Sequence, residues 1–517
     1  MIKIFYSFLK SNKLILFFSL LVTAIHLYSN IFANYGIFRD EFYYIACSNR
    51  LDLGYVDHPP FSIFILKIIL TIFGDSLFAI RLLPLLLSGY IVFMTSLLTK
   101  SMGGNKLSII TSAIIVILCP LILNFTTFYS MNSISIALWV TAYYVLNIIL
   151  TEQKPYWIYL GVIIGIGLLN KIDFLWFGAG LFFALLLTEN RAFLKTKYPY
   201  ITCLIAFIIF SPYILWNILN DFPHIEFMSN ALKFKYKSLD QINFIKNLIM
   251  SMNPITIIIW LPGIFYFFIN KDRKKYRPLA IIFLTTAAIL LINGSSNVAY
   301  LTAAFFPIIS SGSILLEHVA NKKFMRWTFY TSNFSIILCG IIILPLSLPI
   351  LPPQKYIEHT NTLGITASSS ENKKLSEMPQ FFADMFGWEE LAQNVSTVYK
   401  LIPNDEKNKT IIFCSNYGEA GALEYYSSKH ELPIVISFHN NYWLWAKKEL
   451  PKDFENVIVL GDSKTNLLHD FEEVELILTH TAKYSMPYEN NLPIFLCKKP
   501  KYKSDDFIGN SKNKNYI

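Results

Sequence analysis

Apolar residues in this chain come in long unbroken blocks rather than in alternation, and that decides what it can fold into. The run LILFFSLLVTAIHLYSNIF (14–32) is the first of eleven such blocks. The others lie near 81–99, 107–124, 132–150, 156–171, 173–189, 198–217, 255–270, 277–293, 298–316 and 327–348. Crossing a bilayer core takes about 20 apolar residues. A helix pairs its own backbone groups, which lipid cannot do for it. The sequence therefore predicts a polytopic α-helical membrane protein of about eleven transmembrane helices. Its 15% of charged residues fits that reading, since soluble domains average about 25%.

Charge orders the blocks. With the N-terminus in the cytoplasm, the even-numbered spans return the chain to that side. Their loops hold Lys100 and Lys106, then Lys154, then Arg191, Lys195 and Lys197, then Lys271 to Arg277, then Lys322, Lys323 and Arg326. The opposite connections near 125–131 and 294–297 carry no Lys or Arg. This is the positive-inside pattern, and it accounts for the net charge of +9 without nucleic acid. The loop 218–254, with Lys233, Lys235, Lys237 and Lys246, breaks the pattern; long loops follow it less strictly. The basic-then-apolar start MIKIFYSFLKSNK reads as a retained signal-anchor, because no small-residue cleavage site follows the first span.

An odd span count puts the tail outside the cytoplasm. The expected division is a membrane domain over 1–350, with a first external loop at 33–80, and an extracytoplasmic domain over 351–517. LPLSLPILPPQ (344–354) reads as an extended spacer, and TASSSENKK (366–374) as a loop. Strand and helix signals follow: TIIFCSNYG, GEAGALEYYSSKH, PIVIS, NVIVLGD, NLLHDF, VELILTH and PIFLCKK. That order predicts a small α/β domain. Of six cysteines, Cys414 and Cys497 end two of these strands and could form a disulfide; none has metal-ligand spacing. Tyr442, Trp443 and Trp445 suit sugar stacking, with a domain core or docking face as the plainer reading.

The chemistry gathers in the polar island FRDEFYYIACSNRLDLGYVDHPP (38–60), directly after the first span. It holds Asp40, Glu41, Tyr43, Tyr44, Asp57 and His58. A carboxylate half-removed from water at a bilayer edge suits a general base for a hydroxyl. The plainer reading is that the acids cap the next helix. His58-Pro59-Pro60 rigidly starts that helix, FSIFILKIILTIF, which is short, interrupted by Lys67, and predicted to lie on the interface.

The island, this helix and the following RLLPLLLSGY resemble the membrane glycosyltransferases of the protein-O-mannosyltransferase-like superfamily (glycosyltransferase family 39, GT-C fold). So do WIYLGVIIGIGLLNKIDFLWFGAG (157–180), SPYILWNILNDFPHIEF (211–227) and KYRPLAIIFL (275–284). In the tail, FGWEELAQNVSTVYKLIP and NYGEAGALEYYSSKHELPIVISFHNNYWLW match a bacterial subset. The resemblance implies an inverting transfer of a sugar, a hexose or pentose, from a polyprenyl-phosphate carrier to an acceptor hydroxyl outside the cytoplasm of the plasma (inner) membrane. The acceptor would be lipid, glycan or protein. Asp40, the first acid of the pair, would be the base, with Glu41 beside it in the catalytic pair. Substrate contacts are expected from Tyr44, Asp57, His58, Arg81, Lys171 and Tyr300. Of these, Arg81 also reads as a span-end residue that snorkels, Lys171 as half of a turn-closing pair with Asp173, and His58 as an exposed helix start. No metal is expected to be required; the island's acids and His58 are the candidates if a divalent cation binds.

Two departures from the family pattern stand out. Asn293-Gly294-Ser295-Ser296-Asn297 replaces a Lys-Gly-Lys-like turn, and Asn132 stands where relatives carry an acid. Two other classes remain open from sequence: a lipid or sugar carrier, or flippase, and a binding homologue impaired in catalysis. A carrier should show ionisable residues and helix breaks in mid-span; His26 is the main such residue here.

Overall fold

The computed structural model describes residues 11–152, 155–235, 240–293, 297–366, 374–502 and 514–517. Lys154, Lys237, Gly294–Ser296 and most of the 366–374 stretch lie outside the described residues. The chain divides into two compact units. One comprises Met1–Asn34, Phe78–Leu215 and Lys237–Pro352; the other comprises Tyr35–Leu77, Trp216–Tyr236 and Pro353–Ile517. The island thus belongs with the tail.

The first unit is helical; ten of the eleven apolar blocks fall on helices within it, and the helix of the block 198–217 belongs to it as far as Leu215. Among the described residues, Lys13–Phe32, Leu77–Ser101, Met131–Glu152, Tyr198–Leu219, Lys271–Ile292 and Trp327–Ser347 are each long and apolar enough to cross a bilayer. Three more blocks are bent pairs that raise the count to nine: Phe174–Leu186 with Glu189–Lys195, Gln241–Ser251 with Pro254–Ile269, and Val298–Ala304 with Phe306–Ala320. Trp157–Asn170 and Lys106–Ile117 are shorter. The second stops early because Pro120 starts a new helix, Pro120–Phe125, and proline has no N–H to continue the old one.

Small and polar side chains knit these helices, as lipid-embedded packing requires. The Ile257–Ile269 and Phe306–Ala320 helices meet at Gly263 and Gly312. A Cβ on Gly312 would lie 2.1 Å from the Ile259 carbonyl oxygen, and the Ser311 hydroxyl donates to the Gly263 carbonyl at 2.9 Å. Buried Glu317 accepts from the Asn105 and Leu107 N–H groups and the Ser108 hydroxyl, closing the start of Lys106–Ile117. There its charge meets the positive end of the helix dipole. His26 is spent within the bundle, 3.1 Å from the Thr126 hydroxyl.

The second unit is α/β, as the tail's signals predict. Its sheet has the order β2-β1-β3-β5-β4, with β1 Thr410–Cys414, β2 Val435–Ser437, β3 Asn456–Leu460, β4 Phe471–His480 and β5 Leu492–Pro500. β1 runs parallel to β2 and β3; β5 is antiparallel to β3 and β4. Cys414 and Cys497 are both free and buried, not bridged. β3 lies between their strands, which separates them by roughly 10 Å, too far for a disulfide. Tyr442, Trp443 and Trp445 are buried, and Trp443 packs edge-on against Phe438 at 5.1 Å. They belong to the core.

The same unit holds the helix Arg39–Asn49 and the short helix Phe61–Phe73. The latter buries Ser62, Ile63, Leu66 and Ile69, while Ile68, Ile72 and Phe73 on the other side are exposed. An apolar outer face is what a helix lying against lipid needs.

Candidate active site

Asp40 and Glu41 occupy the first turn of Arg39–Asn49, but their surroundings differ. Glu41 is fully buried, and its Oε2 accepts from the Phe38 N–H at 2.8 Å. It closes its own helix start in the manner of a capping box. The Asp40 side chain keeps 36% of its exposure. Its Oδ1 accepts from the Tyr417 hydroxyl at 2.9 Å and lies 3.5 Å from Arg39 Nε. Its Oδ2 has neither a hydrogen bond nor an ion pair among the described residues.

Arg39 gathers the groups around that contact. Its guanidinium donates to the hydroxyls of Tyr488, at 2.7 Å, and Tyr417, at 3.0 Å, and lies 3.6 Å from the buried Asp384 carboxylate. Despite burial, Asp384, Tyr417, Tyr488 and Asp40 together raise the Arg39 pKa, so it stays charged. Just beyond, Asn416 Nδ2 bridges two buried acids, donating to Glu419 at 2.9 Å and to Glu489 at 3.0 Å.

The rest of the island packs behind Tyr417. The Tyr43 ring lies 4.9 Å from the Tyr417 ring, and its hydroxyl donates to Asp57 Oδ1 at 2.8 Å. Burial, then the Asp57 charge, raises the Tyr43 pKa, so it remains a donor. Each of the two acids, Asp40 and Asp57, thus takes a hydrogen bond from one of two touching tyrosines. His58 is only 1% exposed, which corrects the expectation of an exposed loop. Its ring stacks on Tyr44 at 4.8 Å and lies 5.0 Å from Tyr55; its Nδ1 is 3.0 Å from the Pro59 carbonyl. Tyr44 and His58 are therefore wall residues of the folded loop, while Asp40 offers a carboxylate oxygen at its surface.

The other expected contacts lie in the first unit. Lys171, just after Trp157–Asn170, donates to Asn132 Oδ1 at 2.8 Å. It lies 3.4 Å from Asp173 Oδ2, and its ammonium sits 5.0 Å from the centre of the Tyr300 ring. Asp173 is also held by the Ser135 hydroxyl at 3.1 Å. The turn-closing pair is real, yet Lys171 and Tyr300 do converge, and Asn132 meets the ammonium with a neutral oxygen. Arg81 is 2% exposed at the start of Leu82–Ser101. It is buried rather than snorkelling, another correction to the sequence reading.

Membrane-crossing helices joined to a small α/β domain, with an acid-bearing helix following the first span, define a polytopic membrane protein of the GT-C glycosyltransferase fold. Residues 57–216 match the family described as dolichyl-phosphate-mannose-protein mannosyltransferase, so the resemblance read from the sequence holds over that segment. The match begins at Asp57 and leaves Asp40 and Glu41 outside it. The fold resembles crystal structures of ArnT from Cupriavidus metallidurans. With undecaprenyl phosphate bound, the TM-score is 0.61 at 10% identity, over 94% of this chain and 98% of that one. It also resembles the archaeal oligosaccharyltransferase AglB from Archaeoglobus fulgidus, in complex with an inhibitory peptide and a dolichol-phosphate. There the TM-score is 0.53 at 12% identity, over 87% of this chain and 69% of that one. At such identities the likeness is one of fold. No curated protein matches the sequence.

Proposed function

We propose that the protein is an inverting glycosyltransferase that moves a hexose or pentose from a polyprenyl-phosphate carrier to an acceptor hydroxyl. Asp40 carries this reading: its side chain is 36% exposed, one carboxylate oxygen is tied down, and the other has neither a hydrogen bond nor an ion pair among the described residues. In the reaction, Asp40 Oδ2 takes the acceptor's proton as its oxygen attacks the anomeric carbon. The bond from that carbon to the phosphate oxygen breaks, and polyprenyl phosphate leaves with the electron pair. Positive charge developing on the sugar is eased by the carboxylate. Within the first unit taken by itself, Lys171, beside Asn132, Asp173 and the Tyr300 ring, has the chemistry to hold a phosphate. The lipid phosphates in the ArnT and AglB complexes support a lipid-borne donor, and the AglB complex also holds a peptide.

The active face is extracytoplasmic, at the plasma membrane, with the N-terminus in the cytoplasm; the basic loops support this orientation. Side-chain cations serve in place of a resident metal.

The test is Asp40→Asn in full-length protein in proteoliposomes. The probes are radiolabelled undecaprenyl-phosphate mannose, glucose and a pentose, with cell-envelope extract as acceptor. Turnover is expected to fall by about 10²- to 10⁴-fold, the usual cost of losing a general base. Wild-type turnover by a folded Asp40→Asn protein would rule out the assignment. Movement of label into sealed vesicles without a covalent product would mark a carrier.

A further inference from the structure

Residues from the tail grip both ends of the Arg39–Asn49 helix. At its start, Arg39 is held by Asp384, Tyr417 and Tyr488. Just past its end, Arg50 makes paired hydrogen bonds to Glu424, at 2.7 and 2.9 Å, and to Glu449, at 2.7 and 2.8 Å. The Arg50 guanidinium also lies 4.6 Å from the Trp445 ring centre. In between, the Tyr417–His430 helix approaches so closely that at two of its positions any side chain would force its neighbours to shift. A Cβ on Gly418 would lie 2.3 Å from Arg39 Cγ, and one on Gly421 would lie 2.9 Å from the Phe42 carbonyl carbon.

This arrangement fixes a direction. Guanidinium can only donate, so Arg39 Nη2 uses the Tyr417 oxygen as acceptor and the single hydroxyl proton points at Asp40 Oδ1. Oδ1 is thereby loaded, the carboxylate plane is held, and Oδ2 is left for an incoming group. Building on the reading of Asp40 as base, we propose that Tyr417, pinned by Arg39, is a positioning residue for that base. The 353–517 segment then completes the catalytic apparatus instead of forming a separate module. A rotated carboxylate presents its lone pair badly, and misplacement by about 1 Å can cost 10²-fold in rate. Loss of the hydroxyl donor also favours the neutral acid over the charged one.

The experiment compares Tyr417→Phe with wild type and Asp40→Asn, full-length in proteoliposomes. The probes are the same undecaprenyl-phosphate sugars, and release of undecaprenyl phosphate is followed from about pH 5 to 9. Phenylalanine keeps the ring packing and removes only the hydroxyl. Turnover per folded molecule is expected to fall about tenfold or more, with the acidic limb of the pH–rate profile displaced to higher pH and the melting temperature little changed. A wild-type pH profile in Tyr417→Phe, or activity lost only in proportion to folded protein, would overturn the proposal while leaving Asp40 as base if Asp40→Asn is inactive. Full activity in Asp40→Asn would remove the base assignment and this inference together.

Discussion

Gly418→Ala tests the seat of Arg39 without assuming any activity. The new methyl would lie 2.3 Å from Arg39 Cγ and 2.6 Å from Cδ, well inside ordinary contact. Arg39 cannot simply swing away. Doing so gives up its bonds to two tyrosines and takes the charge away from Asp384, whose side chain is 0% exposed and keeps a hydrogen bond from Tyr488; breaking such a buried pair costs about 3–5 kcal/mol. The cheaper response is local overpacking, at about 1–3 kcal/mol, offset by at most about 1 kcal/mol from alanine's better helix propensity. The net loss is roughly 1–2 kcal/mol, or a melting temperature lower by about 2–8 °C for a unit of this size. A double-mutant cycle isolates the cause. In an Arg39→Ala background the colliding atoms are gone, while the 3.0 Å approach to Asn416 Oδ1 is common to both arms and cancels. Gly418→Ala should then cost at least about 1 kcal/mol less than in the wild-type background, well outside the roughly 0.5 kcal/mol within which independent changes add, as read by intrinsic-fluorescence melting in detergent. Equal costs in the two backgrounds would refute the reasoning.

Glu41→Gln keeps an acceptor for the Phe38 N–H and loses only the charge. It should cost about 0.5–1 kcal/mol in a melt while turnover per folded molecule stays within about twofold. Lys171→Gln removes the ammonium facing Asn132 and should raise the KM for an undecaprenyl-phosphate sugar by about tenfold, the loss of roughly one charge-assisted hydrogen bond; an unchanged KM would return Lys171 to turn closure. Burial pushes Glu419 up to about 7, and burial with the Glu419 and Asp384 charges pushes Glu489 well above the ordinary 4.5. The folded pair holds a proton that the unfolded chain releases above about 4.5, so stability should fall as pH rises from there towards 7. Glu489→Gln should flatten that slope in melting curves taken across the range, and an unaltered slope would assign it to other groups.

Much of the fold could be read from one residue to the next. Apolar blocks located the spans because lipid demands uninterrupted runs, and the strands of the tail announced themselves by β-branched runs between turns. The short helix Asn441–Glu449 escaped because NYWLWAKKE reads equally as an aromatic patch; Trp443 is buried against Phe438, and Tyr442 and Trp445 against Tyr43 and Arg50 of the island, contacts that are remote in sequence. The site was half legible. Asp40 and Asp57 stood out as acids beside a span, but their partners could not. Tyr417 is 377 positions from Asp40 and Tyr488 is 449 from Arg39; neither carries a local signal. GEAG at 418–421 was the one available hint, since glycines spaced by a helical turn mark a face where another backbone comes close. Snorkelling of Arg81 and exposure of His58 were inferred from their place at the edge of apolar runs. Both failed for the same reason: an edge in sequence is not an edge in space once other segments fold over it.

Adjacency in sequence also misleads about Asp40 and Glu41. Both sit at the positive end of the same helix, so the dipole does not separate them. What separates them is helical geometry. A step of one residue turns the side chain by about 100°, carrying Glu41 back over the Phe38 N–H into the interior and Asp40 outward to Tyr417. The buried acid accepts from the backbone and anchors the helix; the outer acid, fixed through one oxygen, leaves the other without a partner among the described residues, as the proposed base requires. A base at a membrane surface needs both properties, because a carboxylate free to rotate would be solvated and badly aimed, and one bonded through both oxygens would have no lone pair to offer. The pair supplies them by division of labour, with Tyr417 and Arg39 deciding which oxygen is left.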